Sequence, residues 1–314
     1  MLTLPSNMFY TVTLPATLWF FDRAKPDDRI LFIDARNVFT QLDRAHREFS
    51  EEQVANLALI SHLRHGHRDR FVRQIDRYFE TGLVRLRENH AQVAPVSAQL
   101  IEVLADAEGR AAVGGLVSTW TALAKLEKEY ASYVGLDLAS SRSVKKHNRA
   151  QQKLSAAFDP FFAALHDGLK HLDKIVRAHE KALAAEAAAE GKRATADRKT
   201  KALKTALETL HAEVKNAESS FGHIRWLQER FPGAAYEDVT GLCKLATPAE
   251  VEEQEFSLNP GRYVGVVIEE DGKTEEEFSA ELIAANEELA KLNSEARTLE
   301  KIIGQNLAQI TGEA

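Results

Sequence analysis

From Phe278 to Ile310 the chain repeats in alternating steps of four and three: Phe278, Leu282, Ala285, Leu289, Leu292, Ala296, Leu299, Ile303, Asn306 and Ile310. Only an α-helix brings such positions onto one line. At 1.5 Å per residue that helix is about 50 Å long. Its apolar stripe is narrow, so a second helix has to cover it, and a polar residue such as Asn306 on the seam fixes the register. Thr274-Glu275-Glu276-Glu277 supplies capping-box spacing at the start. The residues meeting the partner are Leu282, Leu289, Leu292, Leu299, Ile303 and Ile310. The pattern leaves two partners open, a helix of another subunit or one elsewhere in this chain.

The rest of the chain needs a core of its own. Of 314 residues, 44% are apolar and 28% charged, which excludes collagen-like and wholly disordered classes. The length suits one large or two modest domains. A single cysteine, Cys243, excludes a disulfide framework and any multi-cysteine zinc site, and suits a reducing compartment. Arg23 is the first basic residue, so no signal-peptide pattern opens the chain. No stretch approaches the roughly 18 apolar residues of a membrane span. The expectation is a soluble, cytoplasmic protein.

Two apolar runs near the start, Ala16–Phe21 and Ile30–Ile33, predict strands, with a turn-rich linker from Asp22 to Arg29 between them. Runs apolar on both faces belong inside a larger sheet covered on both sides. Further strands are therefore expected upstream. From about residue 50 the pattern is helical. Ser50-Glu51-Glu52-Gln53 has capping-box spacing, and helical patterns recur near 95–107, 116–134 and 145–190. His179–Lys204 is rich in Ala, Glu and Lys, which predicts a long solvated helical hairpin with its tip near Gly191-Lys192-Arg193, or else a charged linker. Thr247-Pro248-Ala249-Glu250 predicts another helix start. Asn259-Pro260-Gly261-Arg262-Tyr263 is expected as a loop leading into an extended run to Ile268.

Charge is unevenly spread. Residues 250–314 carry 16 acids and 5 bases, while the whole chain has a formal charge of −7, so the remainder is slightly basic. Arg64, Arg68, Arg70, Arg73 and Arg77 crowd one segment; Arg142, Lys145, Lys146, Arg149 and Lys153 crowd another. Such clusters suit phosphate contacts, or a solvated helix face.

No complete active site is visible. His62, His65 and His67 have loose spacing and no completing cysteine or carboxylate set, so they predict a polar helix end and turn. No Gly-x-Gly-x-x-Gly follows a strand, and Gly114-Gly115 is expected between helices. No Gly-x-Ser-x-Gly elbow occurs, and nothing supports Cys243 and His223 as a catalytic pair. Asp159-Pro160-Phe161-Phe162 is expected as a helix start, not as the Asp/Asn-Pro-Pro-aromatic loop of amino-methyltransferases.

Three blocks together carry a family resemblance. The first is Leu4-Pro5, Phe9-Tyr10, Leu14-Pro15 and Leu18-Trp19-Phe20-Phe21, followed by Leu31-Phe32-Ile33-Asp34-Ala35-Arg36. The second is Tyr236-Glu237-Asp238-Val239 with Gly241-Leu242-Cys243-Lys244. The third is Ser257-Leu258-Asn259-Pro260-Gly261-Arg262-Tyr263-Val264-Gly265, then an acidic stretch and the heptad helix. In this order they resemble the C-terminal part of the modification subunit of type I restriction–modification systems. That family comprises N6-adenine DNA methyltransferases using S-adenosylmethionine.

The resemblance implies a mixed α/β, predominantly helical fold. The terminal strands of a Rossmann-like methyltransferase sheet (1–90) are followed by a helical region with a long hairpin (91–235). A tail with the Asn259, Arg262 and Tyr263 loop and the heptad helix follows (236–314). It also implies specificity and restriction subunits as partners, DNA as substrate, and Phe9 and Tyr10 at the wall of the base pocket or buried in a strand. Arg64, Arg68, Arg70, Arg73, Lys145, Lys146 and Arg149 are the candidate phosphate contacts. The family's Asp-Pro-x-x-Gly-x-Gly and Asn-Pro-Pro-Phe motifs, which precede the Leu-Trp-Phe-Phe block, are missing from this sequence. The chain alone is therefore expected neither to bind the cofactor nor to methylate. The alternative is a non-catalytic remnant binding the specificity subunit or DNA. An unrelated coiled-coil scaffold leaves the strands and the Asn-Pro-Gly-Arg-Tyr block unexplained.

Overall fold

Short strands open the chain: β1 (Leu2–Thr3), β2 (Thr17–Leu18) and β3 (Ile30–Asp34), then the two-stranded β4 (Thr40–Gln41) and β5 (Arg47–Glu48). Helices follow: α1 (Glu51–Arg64), α2 (Arg68–Val103), α3 (Ala107–Thr121), α4 (Leu123–Tyr133), α5 (Ser141–Ala189) and α6 (Arg198–Arg230). The chain then returns to the sheet as β6 (Cys243–Ala246), with α7 (Pro248–Glu253), α8 (Gly261–Val264) and α9 (Glu275–Thr311) after it. This computed structural model describes all residues except 10, 11, 26, 45, 105, 135–139, 190–197, 267–274 and 312–314. Of residues 188, 275–278, 280, 281, 284, 287, 301 and 305–311 only the helical backbone is described. There are two units, residues 1–265 and 266–314. The fold is mostly helical with a small mixed sheet, in line with the expected class.

The sheet has the order β2-β1-β3-β6. β1 and β3 run parallel, with Leu2 opposite Ile33, and β3 pairs antiparallel with β6, with Leu31 opposite Leu245. The run Ile30–Ile33 forms the expected strand, and Phe32 is fully buried. The run Ala16–Phe21 departs from expectation. Only Thr17 and Leu18 pair, on the edge of the sheet, and Trp19, Phe20 and Phe21 are 53%, 71% and 87% exposed. No described strand lies beyond β2, so the two-sided cover that such a run calls for is not supplied by the described residues.

The helices are longer than the sequence pattern suggests. The helical pattern expected at 95–107 is the end of α2, which began at Arg68 and passes through Pro95. Its buried stripe Phe71, Val72, Ile75, Phe79, Leu83 and Leu86 continues to Val93, Val96 and Leu100. Gly114-Gly115 lies inside α3 rather than between helices. Asp159-Pro160 is not a helix start either, because α5 runs through it. A proline inside a helix costs about 3 kcal/mol. Here Phe158, Phe161, Phe162, Leu165, Leu169 and Leu172 are all buried around that position, and fully burying each such side chain contributes about 1.5–3 kcal/mol. Burial outweighs that cost.

α5 and α6 form an antiparallel hairpin, shown by the ladder Asp159–Arg225, His166–Glu218 and Glu180–Lys204 across it. The flanks of the Ala-rich stretch are thus helical, and the expected tip at 191–193 lies outside the described residues. The core of the bundle is aromatic. Phe158 and Phe162 meet Phe221 at ring-centroid distances of 4.4 and 5.0 Å, and Phe79 meets it edge-on at 5.8 Å. Gly82 makes room for that ring: a Cβ there would lie 2.4 Å from Phe221 Cε2.

Two expected capping boxes form. Ser50 Oγ accepts from Gln53 N at 3.2 Å while Gln53 Oε1 accepts from Ser50 N at 2.9 Å. Thr247 and Glu250 do the same at α7, with Pro248 in the first turn. Thr274, expected to cap α9, lies outside the described residues. Ser50→Ala should cost about 1 kcal/mol, read as a lowered urea midpoint at unchanged slope. At α7, hydrogen bonds from Lys244 and from Thr247 hold the Glu250 carboxyl down at about 2, below the ordinary 4.5. The cap is therefore complete above pH 4.5 and is lost as the pH falls toward 2. A carboxyl titration of Glu250 by NMR should show that low midpoint, and Lys244→Ala should raise it.

Candidate functional site

The resemblance-bearing blocks meet at the sheet. Asn259 Oδ1 accepts from Gly261 N at 3.1 Å and starts a single helical turn, α8, where a loop was expected. Pro260 already has helical dihedrals at the N-cap, so the chain turns instead of extending. The proposed run to Ile268 enters residues outside the described set. Tyr263 stacks flat on Phe32, with centroids 3.9 Å apart and planes 2° off parallel, and its hydroxyl donates to Ser257 O. Arg262 and Asn259 face solvent. Arg36 runs beside Gly261, where a Cβ would lie 2.8 Å from its Nη2, and its guanidinium forks onto the buried Asp34. The Asn-Pro-Gly-Arg-Tyr block thus closes one side of β3 and β6.

The other side of the sheet is open. An apolar groove of ≈ 830 Å³ runs between the strands and α1, lined by Leu4, Phe9, Leu18, Phe20, Val54 and Leu57 among others. Phe9 is half exposed at its edge, and its backbone O accepts from Val12 N at 3.1 Å. Tyr10 lies outside the described residues. At one end Asp27 gathers Arg29, at 2.8 Å, and Arg64. Those hydrogen bonds, Arg29's first, hold the Asp27 carboxyl at about 2.

The residues here do not fit S-adenosylmethionine. The first glycine of the chain is Gly66, so neither β1 nor β3 ends in a glycine turn that could bring backbone against the cofactor. The groove itself is chiefly apolar.

The basic clusters fare differently. In the first, Arg64 is committed to Asp27 and its side chain is 15% exposed. Arg68 donates Nε to Ala234 O at 2.8 Å and Nη2 to Gly233 O at 2.7 Å. Arg70 Nη1 donates to His62 Nε2 at 2.8 Å, and burial, with Arg70 next, lowers the His62 pKa. Arg73 is outward, with only a 3.7 Å pair to Asp69. In the second cluster Arg142, Lys145, Lys146 and Arg149 are all exposed on the first turns of α5. With Ser140 and Ser143 they line an open hollow of ≈ 550 Å³ that no acidic side chain of the described residues lines. Ser140 Oγ caps the helix by accepting from Ser143 N at 3.2 Å.

The structure brings the two clusters to one end of the bundle, and polar contacts that no motif announced hold them there. His147 Nε2 meets Asp76 Oδ2 at 3.0 Å, and Gln151 Nε2 donates to Asp76 Oδ1 at 2.9 Å and to Val72 O at 2.7 Å. Tyr133 donates its hydroxyl to the same carboxylate. Burial pushes the Asp76 carboxyl up, against these hydrogen bonds. Asn148 and Gln152 donate to Pro232 O, next to the carbonyls that Arg68 holds. One signal was available. His147, Asn148 and Gln151 are polar residues at helical spacing on the stripe that also buries Val144, Leu154 and Phe158.

Cys243 is buried, with its thiol pushed up to about 11 by burial, and donates to Glu237 O at 3.8 Å. His223 is occupied by Asn56 at 3.3 Å, so the two form no catalytic pair. Among the described residues no group of three metal-ligating side chains gathers, His62, His65 and His67 included. No described helix is long and apolar enough to cross a membrane.

Residues 1–80, which hold the strands β1 to β5, match the family model described as N-6 DNA Methylase. The chain is 38% identical over 56 residues to the type I restriction enzyme MjaIX methylase subunit of Methanocaldococcus jannaschii, a match covering 17% of this chain and 10% of that one. It is 36% identical over 63 residues to the HindI methylase subunit of Haemophilus influenzae, covering 20% and 14%. The resemblance to type I modification subunits therefore holds, over a segment that spans a tenth to a seventh of these relatives' length. No solved structure matches.

Proposed function

We propose that this chain is the C-terminal part of a type I modification subunit and takes part in N6-adenine methylation of DNA only when joined to a part carrying the cofactor and Asn-Pro-Pro-Phe motifs. The observation that carries this reading is the open apolar face of the sheet. Phe9, Leu18 and Phe20 line a groove inside the very segment that matches the methylase family. Exposed aromatic surface of this kind marks a site that another surface covers. In this reading residues 1–90 complete the methyltransferase domain, 91–235 form a helical arm, and 236–314 reach toward other subunits. S-adenosylmethionine enters with the missing part, and Phe9 and Tyr10 border the base pocket. A flipped adenine would be needed there, because a stacked base is out of reach of the chemistry. The protein works in the cytoplasm with specificity and restriction subunits.

The exposed cations at the α2–α5 end, Arg70, Arg73, Lys145, Lys146 and Arg149, serve this reading as phosphate contacts, while Arg64 and Arg68 behind them hold Asp27 and the carbonyls of Gly233 and Ala234. The seam of Leu282, Leu289, Leu292, Leu299, Ile303 and Ile310 serves it as the contact to the specificity subunit. The side chain of Ile310 lies outside the described set.

The test is reconstitution. The chain is mixed with a fragment bearing the two missing motifs and assayed for methyl transfer to DNA. Transfer is expected from the mixture, and Phe20→Asp should abolish it along with complex formation. A stable complex that never transfers methyl groups would overturn the catalytic reading in favour of a binding remnant. Separately, Leu289→Asp with Leu299→Asp should abolish pull-down by a specificity subunit; undiminished binding would remove the seam from that interface.

A further inference from the structure

α9 is a single helix in its own unit, and among the described residues of that unit no second element covers its stripe. Leu282, Leu289, Leu292, Leu299 and Ile303 are 54–65% exposed. In heptad terms Leu282, Leu289, Ala296 and Ile303 occupy the a positions, and Ala285, Leu292 and Leu299 the d positions. The flanks of that seam carry one sign of charge. Glu288 and Glu295 stand at g with Ile302 after them, Glu300 stands at e, and the other described e positions are Ser279, Asn286 and Asn293. The described cations of the helix, Lys291 and Arg297, sit at outer positions c and b, away from the seam.

This arrangement decides against self-pairing. In a parallel pair of copies, g faces e of the other helix five residues on. Glu295 then meets Glu300, Glu288 meets Asn293, and no attractive pair forms. In an antiparallel pair g faces g, which sets the row of Glu288 and Glu295 against its own copy. Like charges across a seam cost affinity and steer partner choice.

We propose that α9 docks a helix of a different chain, one that carries lysine or arginine on both flanks of its own apolar seam, and that α9 does not pair with a second copy of itself. The proposal names the chemistry of the partner for the seam assigned above, but it rests on the helix alone and stands whether or not the methylase reading does. Ala285 and Ala296 on the seam leave room for large apolar side chains from that partner.

The full chain is titrated by fluorescence anisotropy with two synthetic heptad peptides that share Leu and Ile at the seam. They differ only in carrying Lys or Glu at the flanks. The Lys peptide should bind about tenfold more tightly, with a preference that shrinks as salt is raised. Reversing Glu288, Glu295 and Glu300 to Lys should invert the preference. The triple Gln variant, which leaves helix propensity nearly unchanged, should remove it. Sedimentation equilibrium should show no dimer that Leu289→Asp abolishes. Equal binding of the peptides, binding of neither, or such a dimer would overturn the proposal. A Lys peptide that binds while a specificity subunit does not would leave the docking chemistry standing and overturn only the subunit assignment.

Discussion

On the proposed reading as a DNA-methylating subunit, replacing Arg142, Lys145, Lys146 and Arg149 together by alanine is expected to remove most of the affinity for duplex DNA and most of its salt dependence. Each phosphate neutralised contributes about −0.9 to the slope of log K against log salt, so four contacts account for a slope change of about 3.6. Between 50 and 200 mM salt that is about a hundredfold. The four side chains are exposed, and no described carboxylate pairs with them, so the fold should survive the change. Far-UV circular dichroism should be unaltered while a filter-binding titration across salt reads the slope. Arg68→Ala makes the contrast. Its guanidinium holds the carbonyls of Gly233 and Ala234, so its loss should lower stability and leave the salt slope close to the wild type. An unchanged slope in the quadruple variant would remove this hollow from any nucleic-acid interface.

Phe221→Ala is expected to cost about 3–5 kcal/mol, the range for emptying a buried aromatic site. The ring is almost wholly buried and touches Phe79, Phe158 and Phe162, so its removal leaves a cavity shared by α2, α5 and α6. The opposite change at the same contact is also destabilising. Gly82→Ala drives a methyl toward Phe221 Cε2, at 2.4 Å, and overpacking of this kind costs about 1–3 kcal/mol. The two changes compensate, because removing the ring makes space for the methyl. The double variant should therefore be more stable than the sum of the single effects by about 0.5–3 kcal/mol, and urea denaturation of all four proteins gives that coupling. Strict additivity would place the ring and the glycine out of contact.

Local chemistry was legible where the partner groups are close in sequence. The Ser50 and Thr247 capping boxes, the strand at Ile30–Ile33 and the heptad periodicity of α9 each depend on residues within a few positions of one another. Helix ends were less legible where a breaker stands inside a strong apolar stripe. Pro95, Pro160 and the Gly114-Gly115 pair each suggest a boundary, and in each case the helix continues because burial on both sides of the breaker outweighs its local cost. The loop expected at Asn259 became a helical turn, since Tyr263 gains a flat stack on Phe32, a residue more than two hundred positions away.

The sequence by itself determined the chain's resemblance to type I modification subunits, the helical character of its middle, and the acid-flanked seam of its last helix, because motif order, composition and period are properties of neighbouring residues. The tertiary structure alone decided which arginines stay exposed. Arg64 and Arg68 look like Arg73 and Arg149 in the sequence, yet the first two are spent on Asp27 and on backbone carbonyls. It also decided that two basic clusters some seventy positions apart share one end of a bundle, fixed by Asp76, His147 and Gln151. The physical reason is the same in both cases. Whether a charge is available depends on the low-dielectric contacts around it, and those are made by residues distant in the chain.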